Sequence, residues 1–178
     1  MEPGAHLTET ARTRIRAVTL SDADFILRLT QSDGWRRYIG DNKFTTTADA
    51  EKYIEEGFLK SYVVHGFGYY IVSDLAGNPM GIVGFLKKKY LNNPDFGFAF
   101  LPECHGHGYA MEAGLATFDY GVRRFMLSAV DAVTVPENRA SIKLLEKLGF
   151  ELVGDVKLPA RDSSNRAAES LDLYRWLA

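Results

Sequence analysis

The sequence predicts an α/β (α+β) fold, a mixed, mostly antiparallel twisted sheet of about seven strands with helices on both faces. Three observations carry that expectation. Asp95-Phe96-Gly97-Phe98-Ala99-Phe100 alternates bulky and small side chains at the period of two that a strand requires. A glycine-bearing turn from Pro102 to Ala110 then opens into the apolar stripe Met111, Leu115, Phe118, Val122 and Phe125, whose steps of four and three mark a one-sided helix. Upstream, residues 67–73 and 80–87 are joined by Asp74-Leu75-Ala76-Gly77-Asn78-Pro79, whose turn formers favour an antiparallel hairpin.

Taken in order, residues 12–18 alternate basic and apolar side chains, as a half-exposed first strand does. Ser21-Asp22-Ala23-Asp24 has capping-box spacing, and Phe25, Ile26 and Leu29 form the buried side of the helix that follows. Residues 33–40 read as a loop whose aromatics, Trp35 and Tyr38, are bracketed by glycines. A second helix starts near Thr46 or Thr47, with Ala50, Ile54 and Phe58 as its stripe. Two short helices ahead of the main sheet suit a lid. Lys87-Lys88-Lys89 reads as a solvated turn rather than a binding patch, because no aromatics interleave it. Residues 129–135 form a strand that Pro136 ends. The helix 138–149 has a legible start and stop: Asn138 caps it, Ile142, Leu145 and Leu148 bury one face, and Gly149 supplies the left-handed closing residue. Residues 150–154 and 169–176 are the last strands, joined by the polar loop 161–166.

A chain of 178 residues suits one domain with a full-sized core, spanning 1–178. Its 46% hydrophobic and 25% charged residues are globular proportions, and a net charge of −2 gives no pull toward nucleic acid or membranes. Cys104 is the only cysteine, so a reducing cytoplasm is expected. Neither a signal peptide nor an apolar run of bilayer length is evident.

The glycine turn is where chemistry is expected. The first amides of a helix lack intrahelical partners, and the macrodipole adds about half a positive charge there, so a phosphate against Gly106 to Ala110 completes both. A side chain at Gly106 or Gly108 would hold a pyrophosphate away from those amides. On the residues alone a dinucleotide-dependent oxidoreductase stays open, although Met111 stands where a third glycine would complete Gly-x-Gly-x-x-Gly. Cys104, His105 and His107 are too adjacent to converge on one metal ion, and Cys104 reads as a small core-lining thiol rather than a nucleophile. Asn138 reads as a helix cap and Ser141 as a first-turn hydroxyl.

Gly106-His107-Gly108-Tyr109-Ala110 followed by Glu112-Ala113, and then Asn138-x-x-Ser141-Ile142-x-Leu144-Leu145-Glu146-Lys147-Leu148-Gly149-Phe150, resembles the GNAT superfamily of acetyl-CoA-dependent N-acetyltransferases. Within it the chain is most similar to the Rim-type branch, which acetylates protein N-termini. The resemblance implies a GNAT-like sheet whose fourth and fifth strands, 95–100 and 129–135, are splayed. It implies that backbone groups of Phe98, Ala99 and Phe100 pair with the pantetheine amides as an added strand. An N–H there would polarise the thioester carbonyl. It further implies that the amides of His105, Gly106, His107, Gly108, Tyr109 and Ala110 hold the pyrophosphate, that Asn138 bonds the pantetheine arm, and that Arg139 and Lys143 meet the 3′-phosphate. The family's tyrosine proton donor corresponds to Leu145 here, which leaves Ser141 as donor or relay to the sulfur. His105 and His107 replace the aromatic and basic residues usual in Rim-type turns, and Glu103 replaces a Gln or Arg.

The expected acceptor is a primary amine. An α-amine of pKa near 8 is about 10% neutral at pH 7 and a lysine of about 10.4 well under 0.1%, a difference of roughly 3 kcal/mol. That favours a protein or peptide N-terminus, or a small amine of low pKa. Asp95 and Glu169 are candidate bases through water, and equally readable as surface carboxylates. No metal, nucleic acid or membrane is implied, and monomer and homodimer are both compatible. A catalytically silent CoA-binding module stays open beside the enzyme, because Leu145 lacks a hydroxyl.

Overall fold

The computed structural model describes residues 1–40, 43–158 and 170–178. Its strands are β1 (His6–Glu9), β2 (Thr13–Ala17), β3 (Tyr69–Asp74), β4 (Pro79–Leu86), β5 (Asp95–Phe100), β6 (Ala129–Thr134), β7 (Glu151–Lys157) and β8 (Ser170–Leu177). They form one sheet in the order β1-β2-β3-β4-β5-β6-β8-β7, antiparallel at every junction except β5–β6. This is the mixed, mostly antiparallel sheet expected, with one strand more. The addition is β1, four residues long and at the sheet's edge, too short to leave a periodic signal. The antiparallel pairing of β2 with β3 and of β3 with β4 excludes the parallel unit that a dinucleotide site requires.

Helices cover both faces: α1 (Ala23–Thr30), α2 (Asp33–Tyr38), α3 (Thr47–Tyr53), α4 (Lys60–His65), α5 (Tyr109–Phe125) and α6 (Arg139–Lys147). The period of two in the strands sorts side chains into two cores. Tyr70, Val72, Val83 and Phe85 join Phe96, Phe118 and Leu145 under α5 and α6. Ile71 and Ile82 point the other way, onto Ile26, Leu29, Trp35, Ile54 and Phe58. The predicted stripe of the second helix is therefore buried as a unit, although the helix passes through a π turn at Ile54–Leu59 before α4 ends at left-handed Gly66.

Two local expectations are corrected. Residues 33–38 are helical rather than looped: Ser32 caps them by accepting from the Trp35 amide at 3.3 Å, and Asp33 lies in the first turn. Leu115 does not belong to the buried stripe of α5. It is 50% exposed, and the face that packs is Ala113, Gly114, Thr117, Phe118 and Gly121. A Cβ on Gly121 would lie 2.2 Å from the Phe85 ring, so the helix beds on β4 through its small residues and turns Leu115 outward. Among the described residues no helix is long and apolar enough to cross a membrane.

The capping box also sits earlier than its sequence spacing suggests. Asp22, not Asp24, accepts from the Thr19 amide at 2.8 Å, and Arg16 grips both of its oxygens at 2.6 and 2.8 Å. This joins the end of β2 to α1. Burial raises the Asp22 pKa, but Arg16 and Thr19 together hold it below the usual carboxylate range. A depressed folded pKa stabilises above the unfolded value of about 3.9 and is lost as pH falls through the folded value. Asp22→Asn should therefore cost about 2 kcal/mol at pH 7, a gap in thermal unfolding that closes once the pH is below the folded Asp22 pKa.

Candidate active site

Only one residue pair, Asp95↔Asp131, joins β5 to β6. Beyond it the strands diverge, and Gly97, Phe98 and Ala99 stay half-buried although they lie in the middle of the sheet. The gap belongs to a cavity of about 1180 Å³ that runs from Trp35 and Tyr38 of α2, across β5, to the glycine turn and α6. Phe98, Ala99 and Phe100 line it as expected.

At the vertex are two buried carboxylates, each with its own cation. Asp131 is held by Arg175 at 2.7 Å and by the Asn93 side chain at 3.2 Å. Asp95 is 2% exposed and pairs with Lys88 at 2.8 Å. Neither residue is what its sequence neighbourhood suggested. Asp95 is no surface carboxylate, and Lys88 is no solvated turn residue. Burial pushes the Asp95 pKa up while Lys88 and then the Val133 amide pull it back, and Oδ1 lies buried without a hydrogen bond of full geometry among the described residues. Asp95 and Lys88 both line the cavity. The other candidate base, Glu169, lies outside the described residues.

The glycine turn connects β5 to α5 through a short 3₁₀ segment, Pro102–Cys104. Gly106 and Gly108 have φ of +77° and +81°, a conformation L side chains rarely adopt, and a Cβ on Gly106 would meet nothing within 4 Å. The His105 amide is already bonded to the Pro102 carbonyl at 3.1 Å, so the available donors begin one residue later than expected. From Gly106 to Met111 no amide meets an acceptor among the described residues, and the first intrahelical bond is Glu112 N–H to the Gly108 carbonyl at 3.0 Å. His105 contributes its ring instead, donating from Nε2 to the Phe100 carbonyl at 3.0 Å. His105, Gly106, Gly108, Tyr109 and Ala110 line the cavity, whereas His107 lies off its wall with its ring stacked 6.0 Å from that of Tyr109. A run of unpaired amides on a turn that bears no side chain at Gly106 and Gly108 fits a diphosphate.

Across the gap, Asn138 is a true helix cap: its Oδ1 accepts from the Ser141 amide at 3.2 Å. Ser141 is half-buried, Arg139 and Lys143 are exposed at the rim, and Leu145 is 1% exposed, all on the cavity wall. Cys104 lines the cavity too, but burial and then Glu103 push its thiol pKa up, away from nucleophile chemistry. Among the described residues no three His, Cys, Asp or Glu side chains gather as a metal site.

Sequence reading missed several neighbours. The bare Gly97 face is not open to a ligand, since a Cβ there would lie 2.3 Å from the Tyr69 hydroxyl, which fills it. Trp35 lines the cavity with its Nε1 buried and unpartnered among the described residues. Arg12, from the β1–β2 turn, donates to the His107 carbonyl at 2.9 Å. Each contact joins residues far apart in the chain, and only the glycine at 97 hinted at a close approach.

The model of the Acetyltransferase (GNAT) domain family matches residues 12–151. Among curated relatives, the uncharacterized N-acetyltransferase YoaA of Bacillus subtilis (strain 168) is 28% identical over 150 residues, 83% of this chain and 84% of that protein. The uncharacterized N-acetyltransferase p20 of Bacillus licheniformis is 26% identical over 168 residues, 94% of this chain and 92% of that protein. Similar solved structures include an acetyltransferase from Salmonella typhimurium described as modifying the N-terminal serine of ribosomal protein L7/L12, with TM-score 0.80, 15% identity and coverage of 98% and 99% of the two chains. Another is the ribosomal-protein-S5-alanine acetyltransferase from Vibrio fischeri, with TM-score 0.78, 21% identity and coverage of 97% and 96%. With the family model spanning most of its length, over a splayed sheet and an unpaired amide turn, the chain belongs to the GNAT acetyltransferases.

Proposed function

We propose that this N-acetyltransferase uses acetyl-CoA to acetylate the free α-amine of a protein or peptide N-terminus. The observation that carries the donor half of this reading is the run of unpaired amides from Gly106 to Met111 at one end of a cavity bounded by a half-exposed β5. The acceptor half rests on amine basicity, since an α-amine sheds its proton far more readily than lysine. The solved structure of similar fold that is described as modifying the N-terminal serine of ribosomal protein L7/L12 supports it.

Bound acetyl-CoA supplies an activated acetyl thioester. The chain's own groups bind, orient and move protons. Amides at Gly106 to Met111 take the diphosphate, while Arg139 and Lys143 offer mobile cations to the 3′-phosphate. Backbone groups of Phe98, Ala99 and Phe100 extend the sheet to the pantetheine arm, and the Asn138 side-chain amide nitrogen, not used in capping, reaches the same arm. At the vertex, Asp95 Oδ1 accepts a proton from the acceptor ammonium, directly or through one water; burial raises its affinity for that proton and Lys88 offsets part of the rise. Ser141 Oγ relays to the departing sulfur the proton that the acylated nitrogen sheds, which restores the hydroxyl, the task for which Leu145 has none.

Incubation with acetyl-CoA and a mixed library of free peptides, N-terminally blocked peptides and polyamines tests the acceptor. Mass gain on free α-amines is expected, and gain confined to polyamines or lysine side chains overturns the assignment. Gly108→Val should abolish CoA binding in calorimetry while the fold persists, because valine cannot hold the left-handed turn; unchanged affinity would remove the turn from the site. Ser141→Ala should lower kcat by about tenfold or more with the KM for acetyl-CoA within about twofold. Matched losses in both would make the hydroxyl structural.

A further inference from the structure

We propose that Arg12, carried on the β1–β2 turn, is a positioning residue for the diphosphate-binding turn, which it fixes through the His107 carbonyl and the Glu112 carboxylate. The proposal rests on the reading of that turn as the diphosphate cradle.

A turn with two left-handed glycines has unusual freedom to lose, and its amides serve an anion only if it is held in one shape. Among the described residues, side chains hold it at three points, the first being the pair that Arg28 of α1 makes with Glu103. His105 reaches back to β5, and Arg12 comes from the far end of the chain. Arg12 donates from Nη1 to the His107 carbonyl at 2.9 Å and from Nε to Glu112 at 2.7 Å, while Nη2 approaches the same carboxylate at 2.5 Å. The Arg12 backbone amide and the Thr10 hydroxyl complete the grip on Glu112 at 2.9 and 2.6 Å. The guanidinium also lies 4.9 Å from the centre of the Tyr109 ring.

Glu112 is in the first turn of α5, so one planar fork spans the turn's carbonyl and the helix that supplies its amides. The Thr10 hydroxyl first, and then Arg12, hold the Glu112 pKa below its ordinary range against burial. With its side chain 48% exposed, the Arg12–Glu112 pair adds little to global stability. Its effect is local geometry. The fork matters more than the charge, because Glu112 already neutralises Arg12, leaving little net attraction for a distant phosphate.

Calorimetry with CoA and steady-state kinetics with acetyl-CoA on the full chain test this. Arg12→Ala should weaken CoA binding by about tenfold and raise the KM for acetyl-CoA in proportion, with kcat within about twofold and the melting temperature nearly unchanged. Arg12→Lys, which keeps the charge without the fork, should recover little. Adding Glu112→Gln to Arg12→Ala should bring no further loss. Wild-type affinity in Arg12→Ala alongside lost affinity in Gly108→Val would overturn the clamp, whereas wild-type affinity in both would overturn the cradle itself. Full rescue by lysine would overturn the fork. Should Arg12→Ala fail to fold, Glu112→Gln carries the test, and unchanged CoA affinity there sinks the proposal.

Discussion

A strand inside a sheet is required to pair its backbone on both edges, and β5 does so on only one. Its register with β4 is continuous from Asp95 to Phe100, but toward β6 it ends after a single pair. The remaining architecture accommodates that break. Phe96 and Phe118 meet at 5.2 Å, and Phe118 in turn meets Phe150 and Trp176 at the same spacing, giving an aromatic block beneath the opening. At the vertex, Lys88 and Arg175 neutralise the two aspartates that the pairing forces together. A ligand whose own amides ran along β5 would complete what the protein leaves unpaired.

Much of this is legible in local sequence because it is encoded locally. The alternation in 95–100 returns as β5 with the same ends, and the Asn138 to Gly149 signals return as α6 with its cap and left-handed exit. Elements governed by distant partners were not legible. Leu115 satisfies the helical period, yet Gly121 and Phe85 decide which side of α5 faces β4. The helix at 33–38 was hidden because its glycine and aromatics outweighed the Ser32 cap in a reading by residue type.

The site divides along the same line. Its cavity-lining backbone, in β5 and the glycine turn, follows from glycines and small residues that announce themselves. Its side-chain support does not. Lys88 is indistinguishable in sequence from its two lysine neighbours until β4 and β5 turn it onto Asp95. The depth of Asp95 is likewise a product of β6 lying beside it, as no residue within 30 positions downstream belongs to that strand.

One consequence follows from the imidazole that braces the turn against β5. A carbonyl oxygen brings no hydrogen of its own, so the 3.0 Å contact from His105 Nε2 to Phe100 fixes which ring nitrogen carries one. Histidine at this place thus acts as a rigid strut, a planar ring that ties the glycine turn to the last residue of β5 through one donor of fixed sense.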